Sequence, residues 1–269
     1  MPCSLLPGIS VKMAPNLLHF KTFIMKSSVF ILIFILSSLS HSVSAQNFIS
    51  KGKIQYEVRI NNHKSFGDGM FGDMAREKFP KFSITYYDLY FNGDESLYKF
   101  NRYDESTKLN WGGQNKEDNI WFNNYASNSF VQQKFVFDGL YLLTDSLTNP
   151  VWKLVPNETR EIAGFMCRKA VTKLFDSVYV FAFYSDEIVS PGGPMSLHGL
   201  PGMILGVTIP RMFSSWIATK LEVVGVDDKL IVAPKKGKKK NAIELQKTIL
   251  QATKDWGTYG QQSVWNIFM

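Results

Sequence analysis

The sequence predicts a mainly β fold: a curved antiparallel sheet or open half-barrel with a C-terminal helix and a short helical flap. Three observations carry this. Short apolar runs, several of them alternating with polar residues, recur from Lys53 to Val224 between turn residues. One run, Val178 to Tyr184, is apolar or aromatic at every position and reads as a strand covered on both faces. Only near the C-terminus do Ala242, Leu245, Ile249, Ala252 and Trp256 fall at sustained helical spacing, as a stripe packed on the sheet would.

The chain begins with a segment in which Pro2, Pro7 and Pro15 break any helix. From Met25 a secretory signal is expected: Lys26 is the positive n-region, Val29 to Leu36 the apolar run, and Val43-Ser-Ala45 the small-residue cleavage site. The run is much shorter than the roughly 20 residues of a membrane-spanning helix. Met25 is thus the expected start, residues 1–45 an upstream extension plus signal peptide, and 46–269 one β-rich domain beginning at Gln46. Removing 45 residues from 269 leaves about 220, enough for one domain with a sizeable core. The expected location is the periplasm, the outer membrane or the exterior.

In the mature part, Ile54, Tyr56, Val58 and Ile60 alternate with polar residues, giving a strand with one wet face. Phe66 to Phe79, with Met74, Ala75 and Phe79 at helical spacing, is the expected flap. Asn92-Gly93 joins a hairpin of Phe82 to Phe91 and Ser96 to Arg102. Further strands are expected at 120–125, 130–137, 140–144 and 151–155, with a turn at Asp138-Gly139. Phe165 to Leu174 and Val178 to Tyr184 form a hairpin around Phe175-Asp-Ser177, and Met203 to Ile209 and Ser214 to Val224 complete the sheet. Lys235 to Lys240 reads as a solvated loop.

Between two of these strands lies the densest punctuation in the chain. Tyr184-Ser-Asp-Glu-Ile188 is followed by Pro191-Gly-Gly-Pro194, His198 and Gly199-Leu-Pro-Gly-Met-Ile204. The prolines fix φ and the glycines accept tight turns, so the first reading is backbone engineering. The hexapeptide Gly199, Leu200, Pro201, Gly202, Met203, Ile204 resembles, with Met for one Leu, the one that names the GLPGLI proteins. Gly164-Phe-Met-Cys-Arg-Lys-Ala170 is similar to that family's Cys-containing segment, and Tyr184 to Ile188 to its acidic segment. The resemblance covers 161–207 and implies an extracytoplasmic protein of Gram-negative bacteria. It brings no catalytic residue with it.

Charge and cysteine use narrow the classes further. The formal charge of +7 loses three with Lys12, Lys21 and Lys26, and the five lysines of 235–240 exceed what is left. A basic run without a basic face argues against nucleic-acid binding. Cys3 leaves with the prefix, so Cys167 has no intramolecular partner for a disulfide. His63 and His198 lack zinc spacing, and no phosphate or dinucleotide loop is present, so neither metal nor cofactor is expected. A hydrolase would use Cys167 or Asp186/Glu187 with His198. The favoured expectation is a non-catalytic protein binding an apolar ligand such as a lipid, or an outer-membrane or other envelope protein. Phe181, Phe183, Tyr184, Asp186, Glu187 and His198 are the expected contact residues.

Overall fold

Twelve strands build one open, mixed sheet in the computed structural model, which describes residues 48–109, 116–175, 177–223 and 227–268. The expected leader, Met25 and the cleavage site lie outside these residues. The first run of strands comprises β1 (Gly52–Asn61), β2 (Phe82–Phe91), β3 (Glu95–Tyr103), β4 (Ile120–Asn124), β5 (Ser129–Val136) and β6 (Gly139–Ser146). The second comprises β7 (Lys153–Ile162), β8 (Phe165–Leu174), β9 (Val178–Ser185), β10 (Met203–Ile209) and β11 (Ser214–Glu222), and β12 (Lys238–Lys240) follows later. The order is β12-β6-β5-β4-β3-β2-β1-β11-β10-β9-β8-β7. Each run is an antiparallel meander, and the two join along β1 and β11, where Val58 faces Trp216. Among the described strands β12 alone pairs in parallel, on β6, and Ile49 forms an isolated parallel bridge with Ile188.

The alternation of β1 works as its sequence implies: Ile54, Tyr56 and Val58 are buried and Arg59 is exposed. Gly93 takes the left-handed turn position of the β2–β3 hairpin at φ +89°. The strand covered on both faces is β10, not β9. In β9 burial alternates, with Val178, Val180, Ala182 and Tyr184 inward and Tyr179 exposed, whereas six of the seven residues of β10 are buried. The reason lies in the end of β7. A Cβ on Gly206 of β10 would stand 2.7 Å from Ile162 Cδ1, although three strand spacings separate β7 from β10. A flat sheet would hold them about 14 Å apart. The β7–β8 end is therefore folded over the back of β10, with Ile162, Cys167 and Phe183 in the same core cluster.

Both sheet edges are blunted. β7 runs past Val155 through Pro156 and a register shift before Thr159, with Asn157 at φ +61°. The expected strand ends at Val155, because a proline argues against a central strand, but on an edge it is tolerated. At the other edge Lys238–Lys240 form β12, so half of the expected solvated loop is a strand. Lysines on an edge discourage pairing with another chain.

The flap is two helices, α1 (Asn62–Ser65) and α2 (Met70–Lys78). The expected C-terminal stripe is split. Helix α3 (Ala242–Ala252) buries Leu245 and Ile249, but Trp256 lies on the following 3-10 turn and is exposed. A further helix, α4 (Thr258–Phe268), was not visible as a periodic pattern. Its Val264 joins Val136, Leu143, Leu245 and Ile249 in a satellite cluster, and its Trp265 joins the main core.

Candidate functional site

The segment between β9 and β10 enters the core instead of looping over the surface. Met195, Leu197 and Leu200 are buried in the main cluster. Backbone bonds close it on itself: Gly199 N donates to Pro191 O at 3.0 Å and Ile204 N to Gly192 O at 2.9 Å. Glycine is required where the chain approaches itself. A Cβ on Gly202 would stand 2.1 Å from Ser185 O, and one on Gly192 would stand 2.5 Å from Tyr125 Oη.

A buried polar network ties this segment to the first meander. Ser196 Oγ donates to Asn123 Oδ1 at 2.8 Å and accepts from Gln132 Nε2 at 2.8 Å. Asn123 Nδ2 donates to Met195 O at 3.1 Å and to Ser96 Oγ at 3.2 Å, and Ser96 Oγ meets Tyr125 Oη at 2.7 Å. Tyr56 of β1 donates to Ile204 O at 2.6 Å. The polar atoms of Asn123 and Ser196 are satisfied, which makes the network a rigid fastening across the two meanders.

His198 is part of that fastening. Burial lowers its pKa, so the ring is neutral near pH 7 and carries one N–H. Nδ1 lies 2.8 Å from Ser196 O, which can only accept, so the proton sits there. Nε2 lies 3.0 Å from the side-chain amide of Asn149. Asn149 presents its Oδ1 there, and a neutral ring with its proton on Nδ1 requires the amide flipped so that its nitrogen donates to Nε2. Trp152 Nε1 donates to the His198 carbonyl at 2.8 Å. No ring nitrogen is left to serve as a base.

The other expected residues are dispersed. Tyr184 is buried on the inner side of β9, while Phe181 and Phe183 are half-buried on the opposite side, Phe181 under Lys169. Asp186 is exposed in an ion pair with Arg168, and Glu187 is exposed with its carbonyl accepting from Ile49 N at 2.9 Å. Cys167 is buried, donates to Phe165 O at 3.5 Å, and has its thiol pKa pushed up to about 11 by burial. Among the described residues no group of His, Cys, Asp and Glu could hold a metal ion.

Sequence reasoning missed Lys134. It lies on β5, 2% exposed, with Nζ 3.7 Å from the Trp121 ring. Among the described residues no carboxylate pairs with it. The indole face favours the charged amine and burial opposes it; burial wins and holds the pKa well below the ordinary lysine value. Nearby, Trp121 Nε1 has no hydrogen-bond partner among the described residues. The signal was available: Gln132, Lys134 and Val136 share one strand face that the satellite core requires. At the β12 edge an open depression of about 450 Å³ is lined by Leu142, Thr144, Lys239, Lys240, Asn241 and Glu244. Its helix end is already capped, since Asn241 accepts from Glu244 N at 2.8 Å.

No family model and no curated protein matches the chain. Among solved structures it is similar to PNGF-II in one crystal form, at 18% identity and a TM-score of 0.50, over 76% of this chain and 34% of that one. A second crystal form of PNGF-II gives 18% identity and a TM-score of 0.48, over 73% and 32%. An uncharacterized conserved protein from Thermus thermophilus is similar at 7% identity and a TM-score of 0.37, over 73% and 93%. The chain spans about a third of the PNGF-II chains it matches. At such identity the first likeness is one of fold alone.

Proposed function

We propose that the chain is a non-catalytic exported protein of the GLPGLI type that works by binding an envelope partner. The observation that carries this reading is the spent state of the side chains that hydrolysis would need. His198 has both ring nitrogens engaged, Cys167 is a buried, protonated thiol, and Asp186 is held in a surface ion pair. A nucleophile and a base in reach of each other are the minimum for such chemistry. The inward side chains of β9, Tyr184 among them, share one packed core cluster with Tyr56, Leu205 and Val207, which favours a partner at the surface over an apolar ligand inside. Expression of the full chain in a Gram-negative host tests the reading. We expect recovery from the periplasmic or envelope fraction with Gln46 at the N-terminus, and no hydrolysis that depends on Cys167. Uncleaved protein confined to the cytoplasm, or a hydrolysis abolished by Cys167→Ala, would overturn it.

One observation favours a second reading, an internal ligand with an anionic head group. Lys134 is buried and pairs with no carboxylate among the described residues, and the neighbouring Trp121 Nε1 is buried with no hydrogen-bond partner among them. Saturable uptake of a fluorescent fatty acid that Lys134→Met weakens would support this reading against the first.

A further inference from the structure

The turns that close β5, β8 and β10 carry the same residue type in the same backbone state. In an antiparallel sheet alternate turns fall at one end. The β5–β6, β8–β9 and β10–β11 turns all lie at the end where β1 finishes. Phe137, Phe175 and Phe213 occupy them, at φ +56°, +46° and +51°. They are 45%, 41% and 38% exposed. A bulky side chain in the left-handed region costs free energy that Gly or Asn avoids. With about two-fifths of each residue in water, packing is a partial compensation at most, and strain of this kind points to a use.

The three tips are gathered around one element. On α4, Val264 shares a cluster with Val136, the neighbour of Phe137, and Trp265 shares one with Met212, the neighbour of Phe213. Arg211 lies 4.6 Å from the Trp265 ring and donates to Ser177 O at 3.4 Å, joining the turn of Phe213 to that of Phe175. Trp256, more than half exposed, meets the Phe137 ring edge-on at 6.3 Å.

Cations surround the same tips. Lys238 pairs with Tyr141 at the start of β6, beside the Phe137 turn, and Lys235 and Lys236 are exposed just before it. Lys173 and Lys254 lie two residues from Phe175 and Trp256. The acidic neighbours in sequence are Asp138, Asp176 and Asp255, and Glu117 and Asp118 stand at the same end just before β4, so the six cations Lys173, Arg211, Lys235, Lys236, Lys238 and Lys254 exceed these acids by one.

We propose that this end of the sheet docks the protein on an anionic lipid surface. The phenyl rings and the indole enter the headgroup layer, and the lysines face its phosphates. Separate convex tips suit a bilayer, which yields around each ring, better than a protein partner, which would need a matching hollow for each. The proposal deepens the binding reading above and takes its setting from it; vesicle binding can fail while export and processing hold, so the two failures are distinguishable.

The protein recovered from the expressing cell is titrated with sedimentable vesicles of phosphatidylglycerol and phosphatidylcholine, and with vesicles of phosphatidylcholine alone. We expect the mixed vesicles to be preferred, with affinity falling as salt rises. The triple variant Phe137→Asn, Phe175→Asn, Phe213→Asn keeps or raises its melting temperature, because Asn accepts the left-handed state, and loses at least ten-fold in vesicle partitioning. Lys235→Gln with Lys236→Gln and Lys238→Gln loses several-fold and flattens the salt dependence. Wild-type protein that stays in the supernatant at every lipid concentration overturns the proposal, as does equal binding to the neutral vesicles. So does a triple variant that binds as wild type does, or one that unfolds, since unfolding assigns the rings to packing.

Discussion

Replacing Gly202 with Ala should unfasten the segment between β9 and β10 without touching a side chain. The new Cβ would stand 2.1 Å from Ser185 O, 2.7 Å from Ser185 C and 2.8 Å from Asp186 Cα. Carbon–oxygen contacts settle near about 3.3 Å, so the main chain must yield by roughly 1 Å. Overpacking costs about 1–3 kcal/mol where side chains can move. Here the obstacle is backbone, and the shift strains the Met203 N to Ile188 O bond of 3.2 Å and the Tyr56 bond to Ile204 O. Each such bond is worth about 1 kcal/mol. We expect a loss of about 3–5 kcal/mol, or about 6–20 °C in melting temperature for a domain of this size. Gly199→Ala is the control within the same hexapeptide: its φ is +88°, but the nearest atom is 3.8 Å away. It should lose only the left-handed penalty, about 1–2 kcal/mol. Thermal and urea unfolding of both variants measures the difference. Equal losses, or a Gly202→Ala variant within about 1 kcal/mol of wild type, would refute the steric argument.

Three further outcomes follow from the buried groups. Cys167→Ala should cost about 1–2 kcal/mol, and native Cys167, with its pKa pushed up to about 11, should resist thiol reagents at neutral pH until the protein unfolds; fast labelling of the folded protein would contradict this. Lys134→Met should stabilise by roughly 1–4 kcal/mol, as replacements of buried ionisable groups often do. Because the folded pKa of Lys134 is depressed, the unfolded chain binds the extra proton, so wild-type stability is fullest above the unfolded lysine pKa and falls as pH drops toward the folded one. Urea titrations of the Met variant should lack that slope above neutral pH. Asn123→Ala should cost about 2–4 kcal/mol, since it leaves Ser196 Oγ and the Met195 carbonyl short of partners; a double-mutant cycle with Ser196→Ala showing no coupling would dissolve the network.

What the sequence disclosed was whatever periodicity and turn chemistry encode. β1, the Asn92-Gly93 hairpin and the Phe175 turn follow from alternation and punctuation. The β7 extension was hidden because Pro156 is a breaker by local rule, and only its place on an edge makes it harmless. β9 seemed two-sided because aromatics are apolar, yet Tyr179 is exposed and Phe181 and Phe183 half-exposed; β10 is two-sided because β7 folds over it, a long-range fact. Lys134 was overlooked for the opposite reason, since a lysine in a strand is expected outside. The Gly-Pro segment was legible as structure, but its partners Asn123 and Gln132 lie more than 60 residues away.

The seam between β1 and β11 also sets a schedule. β1 has one neighbour at hand once β2 is made, but its other edge waits for Ser214–Glu222, and the Tyr56 bond to Ile204 spans 148 positions. Contacts of such separation form late and slowly. Until then the first meander presents a long open edge, with Ile54, Tyr56 and Val58 behind it and no lysine run or proline bulge to guard it. The finished sheet hides that strand at its centre, so the risk of mispairing belongs to the nascent chain and not to the native protein. A chain stopped before residue 214 should therefore aggregate even though most of its strands are present, and a factor that keeps the chain extended until its last third arrives would matter more to its yield than any gain in native stability.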